Sequence, residues 1–504
     1  MLFAEVVTTS SELGQTRSRK AKTAALATLL SALKRDEIEP VVAWLAGEPR
    51  QGRMGTGWRT LSAAARVDAA GEPSLTVGGV DATMTALADN RGAGSVARRN
   101  ALIGDLFGSA TAPEQDFLVR LLTGDLRQGA LEGVMTEAVA AASGIGLDVV
   151  RRAFMLSGRL PGTAKVALTE GADGLAALRL EVGRPVRPML ASPAESLDAA
   201  LADLGSDVAI EYKLDGARIQ VHRRGDEVHV YTRSLREITG SVGELVDLVR
   251  GLPCDSVVLD GETLALTDAG RPRPFQETMS RFGATTTRDL LLRPFFFDCL
   301  HRDGVDLIDA PLSERLDALV AVVGEHRIPS LHRPTAEAAA AHFDAALDAG
   351  HEGVMVKSLD APYAAGRRGR GWQKVKPEHT LDLVVLGAEW GYGRRTGYLS
   401  NLHLGARDPD GGDPIMVGKT FKGLTDEVLR WQTDEFPRHE RSRDDYAVYL
   451  VPELVVEIEL DGVQVSSRYP GGVALRFARV LRYRPDKRAA DADTIEAVRA
   501  LLPG

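Results

Sequence analysis

The sequence predicts a chain of three parts: an all-α N-terminal part, a central α+β part and a small C-terminal β-barrel. Three observations predict this architecture. The chain has 504 residues, whereas a single domain usually takes about 100–200 residues. A Pro-rich joint, "GRPVRPMLASPAE", stands at 183–195, and the hydrophobic pattern changes from a helical period to alternation near residue 207. We therefore expect domains over residues 1–185, 186–377 and 378–504.

The N-terminal part carries the helical period. The stretch "TAALATLLSALKRDEI" places Leu26, Leu29, Leu30 and Leu33 on one apolar stripe, at spacings of i, i+3, i+4 and i+7. A longer stretch, "APEQDFLVRLLTGDLRQGALEGVMTEAVAAASG", continues the pattern, with glycines separating two helical runs. No fixed repeat period emerges, so a solenoid is not expected.

The central part alternates apolar and polar residues over short segments bounded by Asp-Gly and Gly-rich turns, which is typical of strands. The predicted strands include "VAIEYK", "ARIQVHRRGDEVHVYTRS", "DSVVLDGETLAL", "RPFFFDCL" and "EGVMVKS". Helical segments such as "SERLDALVAVVGEH" lie between them, which indicates an α+β layer. After Pro377, about five short strands and one helical insert, "TDEVLRWQTDEF", fit a barrel of the OB type.

The composition is that of a globular protein, with 44% hydrophobic and 26% charged residues. The net charge of −9 gives no global sign of nucleic-acid binding, although local basic patches remain compatible with it. Two cysteines, Cys254 and Cys299, are too few for a disulfide framework or a four-cysteine zinc site. The N-terminus lacks a secretory pattern and no run of 18 apolar residues exists, so we expect a cytoplasmic protein without membrane contact.

The stretch "EYKLDGARIQVHR" (211–223) places Lys213 at the end of an alternating segment, just before an Asp-Gly turn. A strand-end lysine usually extends its ammonium into water. The alternative is a nucleophile whose amine neighbouring cations keep neutral. The pattern K-x-D-G alone arises by chance on the order of one time in twenty in a chain this long, so other motifs must decide.

Six further motifs follow this one in a fixed order. They are "TRS" (232–234), "LDGE" (259–262), "FFFDCL" (295–300), "EGVMVK" (352–357), "WQKVK" (372–376) and "RFARVLRYRPDK" (476–487). Over roughly residues 186–490 the succession resembles the covalent nucleotidyltransferases: ATP-dependent DNA ligases, RNA ligases and mRNA-capping guanylyltransferases. The helical part with "RLLTGDLRQG" resembles the DNA-binding domain of DNA ligases, which capping enzymes lack. The length and the Ala/Arg-rich composition favour an actinobacterial ATP-dependent DNA ligase of the B type.

The resemblance implies a role for each matching residue, with Lys213 as the nucleotidylated lysine. ATP or AMP would be bound by Glu211, Arg218, Arg233, Glu262, Phe297, Arg368, Lys374 and Lys376. Within this set Phe297 would stack on the base, and the two lysines would touch the α-phosphate. The metal-directed residues would be Glu262 and Glu352, and carboxylates of this kind suit a hydrated Mg²⁺ ion, with Mn²⁺ also possible. The last motif would clamp pyrophosphate through Arg476, Arg482, Arg484, Asp486 and Lys487.

The implied substrate is nicked duplex DNA, and the implied form is a monomer encircling it. The stretch "GRRGRGWQKVK" (366–376) offers five cations and no acid, and Arg127 lies near a helix–helix turn; such contacts to phosphate are sequence-blind. We expect the OB part to close over ATP in the first step and then to turn away for DNA. Two departures from the family pattern are Ala478, where many DNA ligases have proline, and "GKTFKG" (418–423), where a "GTGF"-like stretch is more usual.

Two alternatives stay open. An RNA ligase or capping-type guanylyltransferase would use an RNA substrate or GTP, and it leaves the helical N-terminal part without a role. A non-catalytic DNA-binding scaffold would retain a decayed core, against which Lys213, Glu262 and Glu352 are all intact. An NAD-dependent ligase would need a cysteine-rich zinc module, which two cysteines cannot supply.

Overall fold

The computed structural model describes most of the chain. The described residues are 1–52, 54–57, 60–61, 64, 67–126, 128, 132–267, 270–273, 277–278, 292–365, 368–392 and 395–502, with the backbone alone for 368–370. Helices come first, a mixed region follows, and strands dominate the last quarter. The predicted fold class is therefore confirmed. No helix among these residues is long and apolar enough to cross a membrane.

Ten helices make up the described N-terminal part. They are α1 (Phe3–Gln15), α2 (Arg19–Ser31), α3 (Ile38–Leu45), α4 (Val77–Asp89), α5 (Ser95–Gly108), α6 (Ala112–Leu122), α7 (Glu132–Ser143), α8 (Leu147–Ser157), α9 (Leu160–Thr169) and α10 (Gly171–Ala177). The start of α6 shows why such segments are helical. Thr111 and Glu114 form a reciprocal capping box, and Pro113 needs no amide hydrogen in the first turn. In α2 the predicted stripe buries Leu26, Leu29 and Leu30, whereas Leu33 lies beyond the helix end.

The central part contains two five-stranded sheets. The first has the order β1 (Leu190–Pro193), β10 (Arg368–Val375), β9 (Val354–Ser358), β2 (Val208–Tyr212), β8 (Ser330–His332). The second has the order β4 (Glu227–Thr232), β3 (Ala217–Arg224), β5 (Ser256–Ala265), β6 (Leu292–Arg302), β7 (Val305–Asp306). All the pairings are antiparallel except that of β1 with β10.

Four helices with described bounds cover these sheets: α11 (Leu197–Leu204), α12 (Gly243–Arg250), α13 (Leu312–Val323) and α14 (Ala336–Asp348). The helices α11 and α14 share a buried cluster with the first sheet. The helices α12 and α13 share another with the second sheet. A third cluster joins residues of both sheets to Met155 and Leu156 of α8. The last turn of α8 is thus packed into the central core.

The C-terminal part has nine strands among its described residues. They are β11 (His379–Trp390), β12 (Leu399–Ala406), β13 (Ile415–Thr420), β14 (Glu440–Arg443), β15 (Ala447–Leu450), β16 (Val455–Leu460), β17 (Gly462–Val465), β18 (Val473–Arg476) and β19 (Arg479–Tyr483). The helix α15 (Asp426–Glu435) lies where the insert was predicted, and α16 (Ile495–Arg499) follows the strands. The estimate of about five strands was too low, because four strands here are only four residues long.

Candidate functional site

A cleft of about 990 Å³ opens between the two central sheets. Both sheets and one edge of the C-terminal part contribute to its walls. The lining residues include Glu211, Lys213, Asp215, Arg218, Arg233, Glu262, Phe297, Glu352, Lys357, Trp372, Lys374, Lys376, Asp461, Arg476 and Phe477. The volume is in the range of ordinary small-ligand sites. The structure therefore brings together most of the residues that the motifs singled out.

Backbone pairing fixes the position of Lys213. Its N–H donates to the Gly353 carbonyl at 2.8 Å, and its carbonyl accepts from the Glu352 N–H at 3.0 Å. Both flanking glycines are required by close approaches. A Cβ on Gly216 would lie 2.5 Å from the Thr263 carbonyl oxygen, and one on Gly353, at φ +129°, would lie 2.2 Å from that of Val375. The motifs "KLDG" (213–216) and "EGVMVK" (352–357) are therefore held side by side.

Three cations share the Glu352 carboxylate. Lys213 donates a hydrogen bond to it, Lys376 lies 2.9 Å away, and Arg476 approaches at 3.4 Å. Although burial opposes the shift, the ammonium groups of Lys213 and Lys376 lower the pKa of Glu352 to about 2. Glu352 is therefore an anion at neutral pH, and it holds the Lys213 side chain towards the cleft.

A second charged cluster lies on β3 and β5. Arg218 donates to both Asp260 oxygens, from Nε at 3.0 Å and from Nη2 at 2.7 Å. Glu262, two residues further along β5, is partly open to the cleft. Burial raises the pKa of Glu262 to about 8, against the opposing effect of Arg218 and Lys213. Without a cationic ligand Glu262 therefore holds a proton at neutral pH.

The far end of the cleft has polar groups without hydrogen-bond partners. Glu211 and Lys357 are 1% exposed and form a 2.5 Å ion pair. Glu211 Oε1, the oxygen outside this ion pair, has no hydrogen-bond partner within the described chain, and the same holds for Trp372 Nε1. The Lys357 ammonium lies 4.3 Å and 4.2 Å from the ring centroids of Phe297 and Trp372. Because buried polar groups are almost always paired, these atoms are arranged for a ligand with donors and acceptors on a flat edge.

The other residues that were predicted to bind ATP or AMP differ in their position relative to the cleft. Arg233 is exposed at the rim, where the cleft adjoins a smaller cavity of about 360 Å³ beside α7 and α8. Lys374 lines the cleft on β10. Arg368 begins β10, but its side chain lies outside the described residues, as does the whole of Arg127. The structure therefore says nothing of their contacts.

Only one residue of the last motif's predicted clamp lines the cleft. Arg476 donates to both oxygens of Asp215, at 2.6 Å and 3.2 Å. The others pair inside the C-terminal part: Arg482 with Glu457, Arg484 with Asp382 and Asp486, and Lys487 with Asp382. The predicted pyrophosphate clamp is thus not assembled in this arrangement of the parts.

Several cleft residues were not singled out by the motifs. Asp260 lies two residues before Glu262 on β5, so both side chains point to the same face of the sheet. This spacing could have identified Asp260 from the sequence. Trp372 and Lys357 stand inside quoted motifs without an assigned role. Tyr363 and Asp461 reach the site from loops, where nothing in the local pattern marks them. Asp461 pairs with Lys376 at 2.9 Å.

The carboxylates fit only a metal ion that takes most ligands from elsewhere. No three His, Cys, Asp or Glu side chains of the described chain are grouped as a metal site. Glu262 and Glu352 line the same cleft, and Mg²⁺ commonly takes one or two carboxylates beside phosphate oxygens and water. This donor set suits a magnesium ion that arrives with a nucleotide.

Comparisons with known proteins agree with this site. Three family models match: "DNA ligase N terminus" over residues 59–140, "ATP dependent DNA ligase domain" over 188–376 and "ATP dependent DNA ligase C terminal region" over 395–487. A "Probable DNA ligase" of Rhodococcus jostii strain RHA1 is 73% identical over 504 residues, covering 100% of both chains. That of Saccharopolyspora erythraea is 70% identical, covering 99% of this chain and 98% of its own.

Among solved structures, "Pmar-Lig_PreS3" aligns with a TM-score of 0.62 at 18% identity, covering 95% of this chain and 99% of that one. This likeness concerns the fold alone. The two facing sheets, with Lys213 among the lysines that line the cleft between them, form a nucleotidyltransferase domain. The chain belongs to the ATP-dependent DNA ligase family.

Proposed function

We propose that this protein seals nicks in duplex DNA, using ATP and a covalent Lys213–AMP intermediate. One observation carries the proposal: Lys213 projects into a nucleotide-sized cleft whose walls also present Phe297, Lys374 and Lys376. The division into residues 1–185, 186–377 and 378–504 belongs to the proposal, as DNA-binding, adenylation and OB domains. The protein would act as a monomer that encircles its substrate.

The first transfer forms a nitrogen–phosphorus bond. The ammonium of Lys213 first gives up a proton to solvent; the amine then attacks the α-phosphorus of ATP, the bond to the bridging oxygen breaks, pyrophosphate leaves with that electron pair, and the nitrogen loses a second proton. Lys374 and Lys376, which line the same cleft, would stabilise the charge that builds on the α-phosphate. With a pKa of about 2, Glu352 is a poor proton acceptor, so its role is to orient the lysine.

Two further transfers complete the reaction. An oxygen of the 5′-phosphate at the nick attacks the AMP phosphorus, and the bond to Lys213 breaks, which regenerates the amine. The adjacent 3′-hydroxyl then attacks the activated 5′-phosphorus, and AMP leaves. Magnesium held by Glu262 and Glu352 would supply positive charge at the phosphate oxygens.

The far end of the cleft favours adenine over guanine. Glu211 keeps one carboxylate oxygen, Oε1, without a hydrogen-bond partner within the described chain, and its burial raises its pKa while Lys357 opposes the shift. A carboxylate accepts from the exocyclic amino group of adenine, whereas guanine presents a carbonyl oxygen at that position. We therefore propose ATP as the substrate and Phe297 as the ring against which the base packs.

The test is transfer of label from ATP or GTP to the protein, resolved on a denaturing gel. We expect ATP-derived label that resists base and is released by acid, and that Lys213→Ala abolishes. Lys165→Ala is the matched control, because that lysine pairs with Glu39 on the helical part. Label from GTP would support the guanylyltransferase alternative, and no label from either nucleotide would support the scaffold.

The substrate is tested by sealing. We expect a nicked DNA duplex to be joined with ATP, and not with NAD or GTP. A nicked RNA duplex joined equally well would overturn the assignment to DNA. Omitting divalent metal should stop both labelling and sealing, and comparing Mg²⁺ with Mn²⁺ would establish which ion is used.

A further inference from the structure

The hydroxyl group of Tyr363 uses all of its hydrogen-bonding positions beside Arg218, which lines the cleft. The side chain is 2% exposed and lies on the segment between β9 and β10. Its Oη donates to Asp260 Oδ2 at 2.6 Å, and it accepts from the Met189 N–H at 3.1 Å and from Arg218 Nη2 at 3.4 Å. A phenol has one donor and two lone pairs, so every hydrogen-bonding position is used.

The same groups fix the guanidinium of Arg218. Besides its two bonds to Asp260, its Nη1 donates to the Met189 carbonyl at 2.7 Å. Contacts with the described residues therefore occupy four of the five N–H groups, counting the bond to Tyr363. The remaining Nη1–H belongs to a side chain that lines the cleft, 5.4 Å from the Phe297 ring centroid.

The segment carrying Tyr363 is itself held firmly. The Tyr363 N–H donates to the Ile308 carbonyl at 3.1 Å. The next two amides donate to methionine sulfur atoms: Ala364 to Met189 Sδ at 3.4 Å and Ala365 to Met155 Sδ at 3.2 Å. Because these three backbone hydrogen bonds hold the segment, the Tyr363 hydroxyl has little freedom to move.

We propose that Tyr363 is a positioning residue that aims the free N–H of Arg218 at the bound nucleotide. A bidentate Arg218–Asp260 pair fixes the two groups relative to each other, but not where the pair sits in the cleft. Tyr363 ties the pair to the anchored segment, so that the guanidinium meets ATP without reorganising. The inference rests on the proposed function, since it assigns Tyr363 to the ATP-binding step.

The test is the rate of Lys213 labelling as a function of ATP concentration in Tyr363→Phe. Tyr363→Phe removes three buried hydrogen bonds, and losing the one from the charged Arg218 corresponds to about a tenfold effect, which we expect in the KM for ATP. The rate at saturating ATP should change by less than about twofold, because binding rather than chemistry is affected. Tyr231→Phe is the control, since it removes the hydroxyl of another buried tyrosine, whose hydrogen bond goes to the Gly183 carbonyl at 2.6 Å.

A double substitution separates positioning from general structure. In an Arg218→Lys background, Tyr363→Phe should raise the KM for ATP no further, because the group it aims is gone. If Arg218→Lys labels too slowly, calorimetric ATP binding in the Lys213→Ala background gives the same comparison. Equal losses with and without Arg218, or a KM unchanged in Tyr363→Phe, would overturn the inference. Failure of the unaltered protein to label would instead overturn the proposed function.

Discussion

His222 on β3 shows how one buried side chain makes stability depend on pH. It is fully buried, its Nδ1 accepts from the Gly183 N–H at 3.1 Å, and its Nε2 lies 2.9 Å from Gln220 Oε1. Burial lowers the pKa of His222 to about 3, with nearby His229 and His301 adding to the effect. The folded protein therefore binds this proton more weakly than the unfolded chain does.

The sign of the effect follows. The stabilisation is complete above the unfolded pKa of about 6.5 and is lost as the pH falls from there towards 3. At pH 5 the loss from this residue is about 2 kcal/mol relative to pH 7. We expect the urea midpoint of His222→Gln to fall less between pH 7 and pH 5 than that of the unaltered protein.

His229 provides a control of opposite sign. Hydrogen bonds that His229 donates to Glu237, and to a smaller extent to Glu227, raise the pKa of His229. Its contribution is therefore present at pH 5 and is lost as the pH rises. His229→Gln should steepen the fall in the urea midpoint on acidification, and a flatter profile in that variant would contradict the account.

The residues of the site divide by whether their signal is local. Lys213, Glu262 and Glu352 lie close in the chain to glycines that the packing of neighbouring strands requires. The reactive residue and its glycine therefore form a short motif that is recognisable in the sequence. Tyr363 and Asp461 act on partners more than 80 residues away in the chain, Asp260 and Lys376. No local pattern encodes such contacts, and they become visible only when the sheets are assembled.

The helix α8 belongs to two hydrophobic cores. Val150 and Phe154 pack within the N-terminal part, whereas Met155 and Leu156 pack with Met189, Phe297 and other residues of the central part. A backbone hydrogen bond from Arg187 N–H to the Met155 carbonyl, at 2.9 Å, reinforces the contact. The helix therefore couples the unfolding of the two parts.

We expect Leu156→Ala to separate that unfolding into two calorimetric transitions. The residue is fully buried, and removing such a leucine side chain costs about 2–5 kcal/mol. Val149→Ala on the same helix is the matched control, because that side chain is 44% exposed and its loss should matter by less than about 0.5 kcal/mol. A single shifted transition in Leu156→Ala would mean that other contacts suffice for the coupling.

Helices and strands were predicted correctly where they are long enough to show a hydrophobic period. The strand β3 alternates apolar and polar residues over most of its eight residues, and the helix α14 extends over thirteen. The four-residue strands of the C-terminal part offer two side chains per face, which is too few to distinguish a strand from a loop. Their existence depends on pairing with distant partners, such as β17 with β18.

On the scale of the whole molecule, charged groups hold the C-terminal part against the cleft. Arg476 bridges Asp215 and Glu352, and Lys376 bridges Glu352 and Asp461. All these side chains keep some exposure, from 14% to 35%, so water and salt weaken the pairs. We therefore expect this contact to be reversible, as the proposed alternation between ATP and DNA would require.

Small-angle X-ray scattering can test this reversibility. We expect Arg476→Gln to raise the radius of gyration at moderate salt, because it removes the contacts with both Asp215 and Glu352. Arg482→Gln is the control, since Arg482 pairs with Glu457 inside the C-terminal part. Identical scattering from both variants and the unaltered protein would show that the closed form needs no charge pairs.

The shared packing of α8 limits how this protein can be rebuilt. Because Met155 and Leu156 complete the central core, the N-terminal part cannot be replaced without also replacing these core contacts. A shorter enzyme starting near residue 186 would need polar replacements wherever those two side chains now exclude water. A graft carrying another DNA-recognition module would have to bring two apolar side chains to the same place.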